Sequence, residues 1–137
     1  MALFDRLSRF TPQLQGLLRI IAGLLFLSHG LVKLLGFPPG AMPGQQQLTT
    51  LLGAAGIIET VAGILITLGL FTRCAAFVAS GEMAVAYWMF HAPNSFYPVL
   101  NMGEAAILYC FLFLFFAAAG PGSFAMDAVR RGKRADG

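Results

Sequence analysis

Six ionisable side chains sit inside stretches that are otherwise almost wholly apolar: Arg19, His29 and Lys33 within residues 14–35, then Glu59, Glu82 and Glu104, one in each later apolar run. At 100° per residue the three basic groups fall within an arc of about 80° on one helical face, shared with Ala22, Phe26 and Gly30. An acidic residue at the centre of a membrane span costs about 2.5–3.5 kcal/mol on insertion scales. Groups that expensive are expected to pair inside a helical bundle or to serve a ligand. A histidine and a carboxylate at one depth could exchange protons with a bound molecule, which makes His29 and Glu104 the candidate acid–base pair. Both are expected about six residues, roughly 9 Å, below one membrane surface. Lys33 and Asn101 lie nearer that surface, with His91 at the rim. Arg19, Glu59 and Glu82 form the remaining buried charge network.

The elements that must position these groups follow from hydropathy. Four apolar runs, about 14–35, 48–71, 74–90 and 99–119, each approach the roughly 20 residues that cross a bilayer as a helix. Pro12 introduces the first. A proline- and glycine-rich loop over 36–47 leads to the second. A very short turn at Phe71–Thr72–Arg73 joins the second and third, and short connections imply antiparallel neighbours. Prolines 93 and 98 bracket the loop before the fourth run, and Gly120-Pro121-Gly122 ends it. Small residues around Glu59 (Ala55, Gly56, Ala62, Gly63) and Glu82 (Ala75, Ala79, Ala86) suit close helix packing. Around Glu104 the same face carries Asn101, Leu108, Phe111 and Phe115. The expected fold is all-α, an integral membrane antiparallel four-helix transmembrane bundle.

Composition agrees. The chain is 58% apolar and 11% charged, too hydrophobic for an ordinary soluble domain. Arg6 and Arg9 precede the first run, while Arg130, Arg131, Lys133 and Arg134 follow the last. Residues 1–13 read as a cytoplasmic amphipathic start and 120–137 as a basic cytoplasmic tail. Both long loops lack lysine and arginine, so the positive-inside rule puts both termini in the cytoplasm of a bacterial inner membrane. The net charge of +3 comes from the two tails and points to a lipid bilayer rather than to nucleic acid. The first run continues too far for a cleaved signal peptide and is expected to be retained. Cys74 and Cys110, at different depths, are expected to pack rather than to bridge. No metal-ligand spacing, phosphate loop or nucleophile motif is visible.

Several short motifs together resemble the DoxX family of small four-helix bacterial membrane proteins. They are Leu18-Arg19, His29-Gly30 and Lys33; Ile58-Glu59 and Gly63; Gly69-Leu70-Phe71-Thr72-Arg73; Met83 to Tyr87 and His91; Asn101-Met102-Gly103-Glu104; and Gly120-Pro121-Gly122 with Asp127. The resemblance covers nearly all of 14–127. Where the family often has Ser-Leu-Asp, this chain reads Ala125-Met126-Asp127, so no role of that serine transfers. The resemblance implies quinone-linked redox chemistry, as in a subunit of a thiosulfate:quinone oxidoreductase, or membership of membrane complexes that handle thiols.

The leading expectation is therefore a redox-associated subunit with a bound quinone in its outer half. His29 and Glu104 would manage protons, Lys33 would stabilise developing negative charge, Asn101 would donate a hydrogen bond, and Phe26 and Phe111 would flank the ring. No redox cofactor is visible in the chain, so electrons would come from a soluble or membrane redox partner, and a homo-oligomer is compatible with this reading. Two alternatives stand beside it. One is a structural or assembly subunit that uses the charges only for packing. The other is a proton or small-molecule transport protein that strings Arg19, Glu59, Glu82 and Glu104 into a path.

Overall fold

The computed structural model describes residues 2–135, with side-chain surroundings described for 4–130. Helix α1 is Ala2–Ser8 and α2 is Thr11–Leu35. Helix α3 is Leu51–Leu68 and α4 is Thr72–Ala86, prolonged by a π-helical turn at Tyr87–His91. A short 3₁₀ turn at Ala92–Asn94 and helix α5, Pro98–Asn101, precede α6, Glu104–Ala119, and α7, Met126–Ala135. No strand occurs among the described residues. Met1, Asp136 and Gly137 of the expected amphipathic start and basic tail, and the side chains of Arg131, Lys133 and Arg134, lie outside the described residues.

Among the described residues two helices, α2 and α3, are long and apolar enough to cross a membrane. Helix α2 begins earlier than Leu14 because Pro12 sits in its first turn, where a missing N–H costs nothing. Helix α3 is shorter than the apolar run: Thr50 caps it by accepting from the Gly53 N–H at 3.1 Å, and Gly69 ends it in the left-handed conformation. The fourth run is not one helix. Met102 adopts φ 58°, and Asn101 takes the Gly103 N–H at 2.8 Å, so the chain restarts at Glu104 with a new phase.

The helices associate as two close pairs, α2 with α3 and α4 with α6, joined along α3 and α4. Glycines set the first pair. A Cβ at Gly23 would lie 2.7 Å from the Thr67 nitrogen, and one at Gly63 would lie 2.8 Å from the Leu27 Cα. Only a residue without a side chain lets these backbones approach that closely. Between the pairs, Phe26 meets Phe113 edge-on with centroids 4.8 Å apart, and Ile66 and Phe116 complete a fully buried core. Ser80 Oγ donates to the Cys110 carbonyl at 2.7 Å and ties α4 to α6. Cys74 and Cys110 are both free thiols.

Candidate functional site

The buried charges separate into two sites at opposite ends of the bundle. At the end where α1 and α7 emerge, Arg19 is completely buried. Its five N–H donors reach five carbonyls: Nε to Pro121 at 2.8 Å, Nη1 to Ile66 and Thr67 at 2.7 Å each, and Nη2 to Phe124 at 2.8 Å and Ser123 at 3.2 Å. Two of those carbonyls belong to the last turn of α3, the negative end of its dipole. Arg19 therefore does not join a network with Glu59 and Glu82. Its partners are main-chain oxygens, and they hold the Gly-Pro-Gly run beneath the bundle.

The same end is knitted further. Arg73 Nη1 donates to the Ala117 carbonyl at 3.0 Å and also to Ala118, capping α6. The Ser123 N–H donates to the Pro12 carbonyl at 2.9 Å. Asp127 accepts from the Phe71 and Thr72 N–H groups at 2.9 and 3.0 Å, supplying from a distant segment the N-terminal cap that α4 lacks locally. Burial by itself would raise the Asp127 carboxyl. The Thr72 and Phe71 hydrogen bonds and the Arg130 charge outweigh it and hold the group below the usual aspartate range. Its stabilising contribution is thus full above that range and fades as the pH falls through it toward the lower folded value. Asp127→Ala is expected to cost about 1 kcal/mol near neutral pH. The gap in melting temperature between wild type and variant should narrow on acidification, and a gap that widened would contradict the cap.

At the other end lies a cavity of about 420 Å³. Its walls are mainly apolar (Phe26, Leu52, Met83, Phe90, Met102 and Tyr109 among them), and its polar groups are His29, Lys33, Glu59 and His91. Lys33 Nζ donates to Glu59 Oε1, with side-chain exposures of 13% and 2%. Glu59 Oε2 is buried and has no hydrogen-bond partner among the described residues. His29 stands at the exposed side of the cavity, its ring 6.4 Å from that of Tyr109, and Tyr109 stacks on Phe113 at 5.4 Å. His91, expected as a rim residue, sits in the π turn, donates from Nδ1 to the Asn101 carbonyl at 3.0 Å, and also lines the cavity. Such π insertions recur at functional sites because they re-aim side chains.

Sequence-predicted residues therefore divide. Phe26, His29, Lys33 and Glu59 come together. Glu104 does not: it is exposed in the first turn of α6, on the outward face with Leu108, Phe111 and Phe115, of which Phe111 is 66% exposed. The left-handed Met102 separates buried Asn101 from that exposed face, and a carboxylate at a helix N-terminus is favourably placed there. Asn101 is buried but serves the loop, donating to the Ser95 carbonyl at 2.8 Å. Glu82 makes no ion pair but lies close enough to Glu59 and Lys33 to feel both charges, its two oxygens buried without a hydrogen-bond partner among the described residues, beside a second apolar cavity of about 320 Å³ between α3 and α4. Tyr109 was missed. Its signal was the 3–4 spacing of Ala106, Tyr109, Phe113 and Phe116, the inward stripe of α6.

Described residues that are helical without strands, with two helices of membrane-crossing character and a mainly apolar cavity holding an ion pair, point to a class of small helical membrane proteins. Within it the protein belongs to the DoxX family, whose model matches residues 14–92. The chain is 42% identical over 127 residues to an uncharacterized protein of Haemophilus influenzae, covering 90% of this chain and 95% of that one. It is 28% identical over 134 residues to an uncharacterized membrane protein of Mycobacterium tuberculosis, covering 86% of this chain and 81% of that one. No solved structure matches.

Proposed function

We propose that this chain is a four-helix antiparallel protein of the bacterial inner membrane, a redox-associated subunit that binds a quinone-like ligand in the Lys33–Glu59 cavity. The observation that carries the reading is an ion pair lining an apolar cavity with one carboxylate oxygen left without a partner. A cavity of about 420 Å³ falls within the usual range of small-ligand sites. The four-helix membrane reading draws on two further features. With its π turn, α4 runs unbroken from Thr72 to His91, close to the roughly 20 residues a span needs. Both termini also leave the bundle at one end, as four antiparallel crossings require. The basic ends then favour a cytoplasmic placement for that side.

The residues fit such a group. A bound quinone supplies two-electron, two-proton chemistry, with electrons from a soluble or membrane redox partner. Phe26 and Tyr109, packed on each other with centroids 5.9 Å apart, would offer an aromatic wall in place of the expected flanking pair Phe26 and Phe111. Lys33 donates a hydrogen bond to a carbonyl oxygen and favours negative charge there. Glu59 Oε2 would accept or hold a proton, and His29, which lines the same cavity, would pass it on. The transport alternative is less favoured, since Arg19 is committed to carbonyls and Glu104 faces outward, so the four residues do not line one path.

The test is quinone content. Protein purified in mild detergent is extracted with organic solvent, and quinone per polypeptide is measured. Wild type and Glu104→Gln are expected to retain near-stoichiometric quinone. Monodisperse Lys33→Met and Glu59→Gln should lose at least about tenfold, the worth of one charge-assisted hydrogen bond. Wild-type content no higher than that of an unrelated four-helix membrane protein would sink the reading.

A further inference from the structure

Charge is distributed along this molecule in a way that packing alone does not require. Apart from Arg19 and Lys33, every lysine and arginine lies at the end where α1 and α7 emerge: Arg6, Arg9, Arg73, Arg130, Arg131, Lys133 and Arg134. The opposite end, residues 36–50 and 92–103, has none. Arg73 is used as a helix cap. The others accompany two short helices with exposed apolar side chains. Phe4, Leu7 and Phe10 are 72%, 48% and 55% exposed beside Arg6 and Arg9, and Phe124, Met126 and Val129 are 63%, 47% and 61% exposed beside Arg130. The sequence places Arg131, Lys133 and Arg134 further along α7.

These two helices are held at one level. The Ser123 N–H to Pro12 carbonyl bond joins the segment before α7 to the start of α2, and Asp127 pins the first turn of α7 to α4. Arg130 lies 4.5 Å over the Phe71 ring, so the basic side of α7 begins at the edge of the bundle. An apolar face flanked by arginines, lying where spanning helices end, matches the interface between acyl chains and phosphate headgroups. A protein partner would not demand that both helices pair exposed apolar groups with excess positive charge.

We infer that α1 and α7 together form a surface for anionic phospholipid, with the apolar residues inserted at the headgroup boundary, Arg6, Arg9 and Arg130 on the phosphates, and the sequence of α7 adding further positive charge. The inference rests on the membrane reading and is independent of the quinone. Each basic residue near a negative membrane surface is worth about fivefold in binding, so the tail's position should depend on lipid charge and on salt.

The experiment uses the whole chain with Cys74 and Cys110 replaced by alanine and an environment-sensitive fluorophore on Val129→Cys. It is reconstituted into vesicles of phosphatidylcholine with brominated chains, with or without phosphatidylglycerol. Quenching at Val129→Cys is expected to be at least about twofold greater with phosphatidylglycerol, and to lose that difference in high salt. The difference should also vanish in Arg131→Gln/Lys133→Gln/Arg134→Gln, which leaves Asp127 and Arg130 in place. Equal quenching in both lipid compositions, or a water-exposed label in both as a protein-docking surface would give, would overturn the inference. A label on Leu24→Cys, mid-helix in α2, reports separately: quenching there in both compositions upholds the membrane reading, and none would show that reading to be at fault.

Discussion

Replacing Arg19 with leucine is expected to be the most damaging single substitution in this chain. Leucine fills part of the volume but offers no donor. It would strand carbonyls of Ile66, Thr67, Pro121, Ser123 and Phe124 around a fully buried position. Stranded buried acceptors cost about 1–3 kcal/mol each where no water reaches them. Even with partial relaxation the loss should be about 4 kcal/mol or more, enough to prevent assembly of a protein of ordinary marginal stability. Arg19→Lys should recover part of this. An ammonium has three donors on a flexible stem and cannot span five acceptors that a planar fork reaches at once. Thermal melting in detergent, followed by size-exclusion chromatography, gives the order wild type, then lysine, then leucine. A leucine variant melting within about two degrees of wild type would mean that those carbonyls are satisfied in some other way.

The position of Arg19 also shows what the sequence could and could not reveal. Its helical face was legible: Arg19 and Lys33 share one side of α2, and that side is buried. Depth was legible too, since 14 residues place them about 21 Å apart along the axis. The partners were not. Counting side chains leads one to match arginine with glutamate, whereas the acceptors are backbone oxygens delivered by α3 and by a loop more than a hundred positions away. Glu59 and its glycine-lined face could be read because small residues at helical spacing have few other uses in an apolar helix. Glu104 could not. Its expected neighbours Leu108, Phe111 and Phe115 do share its face, and the left-handed Met102 detaches only Asn101; what the pattern could not show is that this face points outward. The apolar run was real, but hydropathy is blind to phase when a helix is apolar all round, as α6 is.

The second large effect concerns the Lys33–Glu59 pair, and it separates packing from binding. Removing either partner alone leaves a charge in an apolar interior, which typically costs about 3–5 kcal/mol. Removing both takes the two opposite charges out together, leaving Glu82 buried nearby, and replacing a buried pair by apolar groups is often neutral. Lys33→Met and Glu59→Leu are therefore each expected to melt well below wild type, while the double variant should recover most of the loss. If the pair serves only to fix α2 against α3, the double variant should be indistinguishable from wild type in every respect. If it serves a ligand, the double variant should fold and yet retain no quinone, because the cavity has lost both its donor and its free carboxylate oxygen. Melting temperature and quinone content, measured on the same four preparations, thus give different orders. Stability restored together with quinone would assign the ion pair to architecture alone. Stability restored without quinone would place binding at Lys33 and Glu59, with the glycine-lined contact between α2 and α3 holding those helices together unaided.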